Sequence, residues 1–320
     1  MARHSSSGKV VYAALLGNVL IAITKFAAAA WTGSSAMLSE AVHSLVDTVN
    51  ELLLLYGIHR SSRPPDSAHP LGHGRELYFW SFIVALMVFG LGAGASLFEG
   101  VTHVLHPQPI ENPTVNYVVL GLSFVFEFGS WSVALKAFRV TKGRRGYLEA
   151  LGVAKDPTTF TVLFEDSAAL AGLLIAFAGI WGAQVFDMPK LDGAASIGIA
   201  LVLGVAGAVL ARRTKQLLIG EVAQPELRRS ILEIAGRHPG IARANGVLTA
   251  QLGPHQVVAA LSAEFEDRLT TPEIEDCVSS LEEEIRSVHP EVSVLFVKPQ
   301  TAATWESRRR AIEAAGTDSD

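Results

Sequence analysis

Glu40, His43, Asp47 and Glu51 recur at three- and four-residue intervals within the run from Ala36 to Ile58, which is otherwise largely apolar and long enough to cross a bilayer. On a helix these four make one stripe. An ionisable group at bilayer depth costs roughly 3 kcal/mol or more unless it faces protein, water or a cation, so the stripe marks a functional site. His43 and Asp47 are one helical turn apart, and imidazole plus carboxylate is a ligand pair suited to a divalent transition metal. Joining helices needs no charge, since Ser, Thr, Asn and Gln do that at lower cost. The stripe therefore reads as half of a metal site in a membrane transporter.

Further ionisable residues stand in apolar surroundings. Glu127 lies at the middle of Val115 to Phe138, where it suits a proton carrier, a partner behind a ligand or an auxiliary ligand. Glu165 and Asp166 are adjacent early in Phe160 to Phe186. On a helix they project about 100° apart, so at most one looks straight at the stripe. Asp66, His69 and His73 fall within a loop punctuated by Pro and Gly. They can form a second, more exposed cation site, although the same punctuation also describes a plain connector. Lys25, near the far end of the first apolar run, is expected to snorkel to the interface, and Glu99 and His103 to lie where the third run leaves the membrane.

The scaffold for these residues is legible in composition. The chain has 320 residues, is 49% hydrophobic and has a mean hydropathy of +0.33, too apolar for an ordinary soluble protein of this size. Apolar runs at Val10 to Trp31, Ala36 to Ile58, Tyr78 to Val104, Val115 to Phe138, Phe160 to Phe186 and Gly193 to about Leu210 predict an all-α membrane domain of six transmembrane helices over 1–222. The first run is too long for a signal peptide and lacks its small-residue cleavage site. Lys and Arg concentrate before the first run, in 59–77, in 136–158 and after the sixth run, whereas the alternate connections hold only Lys190. By the positive-inside rule both termini are expected in the cytoplasm.

From Pro225 the chain turns polar. Glu226 to His238 and Thr271 to Val288 have helical patterns, and Ala244 to Leu252, Gln256 to Glu266 and Val292 to Val297 read as strands. The order αββαβ predicts a small α+β, ferredoxin-like cytoplasmic domain at 223–299, with an antiparallel sheet and helices on one face. Residues 300–320 are expected to form a flexible tail or loose helix. A single cysteine, Cys277, rules out an internal disulfide and a Cys-rich zinc site. A net charge of −5 with no basic stripe gives no case for nucleic acid.

Taken together, these residues resemble the cation diffusion facilitators. The resemblance rests on Ser39-Glu-Ala-Val-His-Ser-Leu-Val-Asp-Thr-Val-Asn50, on Glu165-Asp-Ser-Ala-Ala169 and on His69-Pro-Leu-Gly-His-Gly-Arg-Glu76, with six spans and an αββαβ tail. It covers about Val10 to Pro299 and looks closest to the branch of mitochondrial-type zinc transporters. It implies a homodimer, multi-pass in the cell (inner) membrane, that exports divalent metal in exchange for protons by alternating access around four ligands, with the metal as transported substrate and no resident cofactor. Two of the ligands come from the second helix and two from the fifth. His43 and Asp47 fill the first pair, and Asp166 takes the Asp position of the second. The expected histidine falls on Val162, so the fourth ligand is open: Glu165 first, then Glu127, Glu40, Asn50 or water. In this family the loop after the second helix can hold another metal, which Asp66, His69 and His73 are placed to bind. The C-terminal domain is expected to dimerise without a full metal cluster.

Two expectations rest on chemistry and position. The site binds metal when His43 is neutral and its carboxylates are ionised, so protonation from the outer side releases the cation. Zn²⁺ suits the ligands best, with Fe²⁺, Co²⁺ and Mn²⁺ also accommodated. Arg75, entering the third helix, and Glu221, following the sixth, stand where an ion pair can lock the two segments together. The other readings are an intramembrane metalloenzyme, which lacks a His-Glu-x-x-His pair, and a membrane-anchored metal sensor, which calls for ligands in the C-terminal domain.

Overall fold

A computed structural model describes residues 4–317, with side chains described for 18–311 and 314 apart from 141 and 148. The chain divides into two compact units, Met1–Arg60 with Glu76–Lys215, and Ser61–Arg75 with Gln216–Asp320.

The first unit is helical: α1 (His4–Thr32), α2 (Ser35–Ser61), α3 (Arg75–Leu105), α4 (Pro113–Lys142), a short α5 (Tyr147–Val153), α6 (Pro157–Val185) and α7 (Lys190–Ile219). Among the described residues, four stretches are long and apolar enough to cross a membrane, Arg75–Leu105, Pro113–Val140, Pro157–Val185 and Lys190–Ile219; Asn18–Thr32 is a shorter apolar stretch. The α2 helix has the length, 27 residues, but carries the charged stripe.

Local chemistry sets the helix starts. Pro157 opens α6, where it needs no hydrogen-bond donor, and Asp156 accepts from the Thr158 N–H at 3.0 Å as its N-cap. The start of α2 is capped from another helix: Asp192 of α7 accepts from the Ser35 N–H at 2.6 Å and the Ser34 hydroxyl at 2.8 Å. Where α3 meets α7 its backbone widens into a π-helical segment, Val88–Ala93, and a methyl on Gly207 would meet the Phe89 backbone at 2.9 Å. The α5 helix, in the basic connection that the sequence leaves as a loop, ends where Arg213 donates to the Leu151 and Gly152 carbonyls at 3.0 and 2.9 Å.

The second unit contains α8 (Pro225–Arg237), β1 (Ile241–Gly253), β2 (Gln256–Phe265), α9 (Thr271–Val288), β3 (Val292–Pro299) and α10 (Ala302–Thr317). Its core joins Leu227 and Ile231 of α8, Leu281 and Ile285 of α9, and Leu261 and Leu295 of the sheet. The expected antiparallel sheet is corrected to a mixed one: β1 and β2 are an antiparallel hairpin, but β2 and β3 run parallel. A hairpin turn reverses the chain, whereas the α9 crossover returns it to its starting end and lays β3 down in the same direction. Of the stretch expected as a flexible tail or loose helix, Ala302–Thr317 is helical, and Trp305 sits directly on Gly246 of β1.

Candidate metal transport site

The stripe on α2 forms as its spacing demands, but its members meet different partners. The His43 imidazole is buried, its Nδ1 lies 3.4 Å from Asp47 Oδ1, and neither ring nitrogen has a hydrogen-bond partner. Asp47, Glu127 of α4 and Asp166 of α6 line one cavity of about 40 Å³, together with Asn18, Ser44 and Ser130. Ser130 donates to Asp166 Oδ2 at 2.9 Å, orienting that carboxylate. A cavity this size admits a single ion or water. The two His43 ring nitrogens, next to the cavity-lining Asp47, are buried polar atoms left without a hydrogen-bond partner, which is uncommon.

Glu165 does not line this cavity. Its Oε1 accepts from Asn50 Nδ2 at 2.7 Å, so two of the fourth-ligand candidates are engaged with each other. Glu40 is engaged as well, because Lys25 Nζ lies 3.1 Å from Glu40 Oε2 and donates to Ser44 Oγ at 2.8 Å. Both members of that ion pair are fully buried, which corrects the expected snorkelling of Lys25. The signal for it was in the sequence. Asn18 and Lys25 are seven residues apart and so share a helix face, and Asn18 Nδ2 donates to Glu51 Oε2 at 3.1 Å. Burying an ammonium is tolerable only with a partner this close. His103 is buried too, with Nε2 3.9 Å from Asp192 Oδ2. Asp192 stands just before the sixth apolar run, and its spacing in the sequence does not point to His103 or to the start of α2.

In the second unit, Asp66, His69 and His73 come together. Among the described residues they are the one group of three such side chains whose donor atoms all lie within 4.8 Å of one another. Asp66 Oδ1 lies 3.2 Å from His69 Nδ1, and Oδ2 lies 3.1 Å from His73 Nε2. The Asp66 carboxyl is held at about 2, chiefly by the hydrogen bond from the His69 N–H, with further bonds from His73, the His69 ring and the Ala68 N–H. The Arg75 guanidinium reaches 3.4 Å from where a Cβ on Gly220 would stand, next to Glu221.

The cation efflux transmembrane domain family matches residues 11–219 of this chain. The chain belongs to the cation efflux family. It is 35% identical to the proton-coupled zinc antiporter SLC30A9, mitochondrial, of Homo sapiens over 266 residues, 82% of this chain and 47% of the relative. It is 34% identical to the Metal tolerance protein C4 of Arabidopsis thaliana over 71% of this chain and 50% of that one. It is 25% identical to the Cation-efflux pump FieF of Cronobacter sakazakii over 90% of this chain and 91% of that pump. The chain spans about half the length of the zinc antiporter and the tolerance protein that it matches. Membership makes it a multi-pass membrane protein.

Proposed function

We propose that this cation efflux protein is a proton-coupled antiporter that exports divalent transition metal from the cytoplasm, Zn²⁺ first and Fe²⁺, Co²⁺ or Mn²⁺ next, by alternating access. The observation that carries the reading is the cavity lined by Asp47, Glu127 and Asp166 from three helices, with the unpartnered His43 imidazole adjoining Asp47. His43, Asp47 and Asp166 are the proposed ligands, with Glu127 the fourth group in place of the Glu165 favoured by sequence.

The chemistry supplies the coupling. A metal ion binds neutral imidazole and ionised carboxylate, so protons arriving from the outer side compete for the same atoms and expel it. Losing those protons to the cytoplasm restores the site. The proposed frame is a homodimer with six spans per chain, where α1 and α2 join the four apolar helices, a transport domain at 1–222, a dimerising C-terminal domain at 223–299 and both termini cytoplasmic. Asp66, His69 and His73 are proposed as a second, more exposed metal site, and Arg75 with Glu221 as an ion pair.

The test is metal-driven proton flux in liposomes. His43→Ala, Asp47→Ala and Asp166→Ala are each expected to abolish it. Normal flux in Asp166→Ala would remove that residue from the site and the antiport reading with it.

A further inference from the structure

A cation site has no use for an ammonium as a ligand, yet Lys25 of α1 stands beside the cavity that Asp47, Glu127 and Asp166 line. Lys25 has no exposed surface; its Nζ lies 3.1 Å from Glu40 Oε2 and donates to Ser44 Oγ at 2.8 Å. Ser44 itself lines the cavity, as do Asn18 and Ile21, which share a face of α1 with Lys25. Lys25 and Glu40 lie behind that wall.

The pair has a direction. Lys25 is one helical turn past Ile21 on α1, and the hydroxyl it holds belongs to the cavity wall. Glu40 is farther off, seven residues or about 10 Å of helix from Asp47. Its Oε1 lies against Gly172 of α6, where a Cβ would collide with it, and Gly172 is six residues or about 9 Å beyond Asp166. The ammonium therefore stands between the cavity and the carboxylate. The pair is neutral as a whole but turns its positive end to the cavity.

Packing is a poor reason for such a pair. Tying α1 to α2 needs only hydroxyls or amides, and a buried ion pair is often no more stabilising than apolar residues of the same volume. Its effect on the cavity is definite, because a fixed positive charge repels a divalent ion twice as strongly as a monovalent one.

We propose, resting on the antiport reading, that Lys25 sets the affinity of the transport site. Its ammonium, anchored by Glu40 and aimed through Ser44, loosens the hold on a divalent cargo so that the ion can be exchanged.

The experiment is Zn²⁺-driven proton flux of the full chain in liposomes, read as half-saturating Zn²⁺ concentration and maximal rate. Lys25→Met with Glu40→Gln removes both charges and nearly keeps the volumes. It is expected to lower the half-saturating concentration about tenfold, and to lower the maximal rate too, since tighter binding shows mainly as slower release. Co²⁺ should shift by the same factor, because charge changes and ligand geometry does not. A pair that only ties helices together, or a Glu40 that ligates the metal, predicts the opposite sign. Ser44→Ala, which frees the ammonium from the cavity wall, should shift half-saturation the same way by about threefold, and it decides the matter if the double variant does not fold. Half-saturation that stays the same or rises overturns the proposal, as do unequal shifts for Zn²⁺ and Co²⁺. No flux in the unaltered protein would remove the antiport reading and this one with it, whereas flux with unshifted half-saturation in the variants removes this one alone.

Discussion

The buried stripe on α2 and the loop at 66–73 carry the same ligand types, histidine and aspartate, in opposite settings. In the loop the donor atoms of Asp66, His69 and His73 have already converged to within 4.8 Å, whereas no three of His43, Asp47, Glu127, Glu165 and Asp166 come that close. The difference follows from how each is built. Asp66 Oδ1 accepts from the backbone N–H groups of Ala68 and His69, and Gly72 takes φ +82°, so a few contiguous residues fold the loop onto itself. The constellation on α2, α4 and α6 draws its groups from three separate helices, and its like-charged carboxylates repel one another, so no local bond pulls them together.

Variants can break this contrast. The largest effect is expected at Lys25, the fixed cation beside the stripe. Lys25→Met should lower stability by about 3 kcal/mol, because it leaves the Glu40 carboxylate buried without a counter-charge. The double variant Lys25→Met with Glu40→Gln should recover most of that loss in a denaturation series. Equal destabilisation in the double and the single would show that the pair is not the reason Lys25 is buried.

Glu127 and Glu165 sharpen the membrane side. If the cavity defines the transport site, Glu127→Gln should slow metal-driven flux by about tenfold, the effect of losing roughly 1.4 kcal/mol. Glu165→Gln, which keeps a partner for Asn50, should slow it less. The reverse order would return Glu165 to the ligand set.

On the loop side the effects are smaller. Asp66→Ala should lower the metal bound per chain at equilibrium by one ion while liposome flux persists. Loss of flux equal to that of Asp47→Ala would make the loop part of the transport path. The smallest effect is a pH dependence. Asp66 has a folded value near 2, below its ordinary 3.8, so its contribution to stability is present above about pH 4 and fades as pH falls through about 2. The gap in thermal midpoint between the protein and Asp66→Asn should therefore narrow on going from about pH 5 to about pH 2.

What the sequence made legible was whatever depends on near neighbours along the chain. The three- and four-residue spacing from Glu40 to Glu51 was enough to place them on one face, since helical periodicity is local. The Asp66, His69 and His73 loop was visible as a candidate ligand set for the same reason, because eight contiguous residues supply it. The carboxylates at 165 and 166 project about 100° apart on a helix, and they meet different partners, Asp166 in the cavity with Asp47 and Glu165 on Asn50.

Partners distant in sequence were settled by packing. Lys25 reads as an interfacial lysine until Glu40, fifteen residues on, is brought to 3.1 Å. Asp192 reads as part of a turn until α7 delivers it to the first amides of α2, 157 residues earlier. The direction of β3 likewise depended on which end of β2 the α9 crossover reaches. A charge buried in an apolar fold is stable only against a specific partner, and that partner's identity is a property of the assembled helices rather than of the chain read in order.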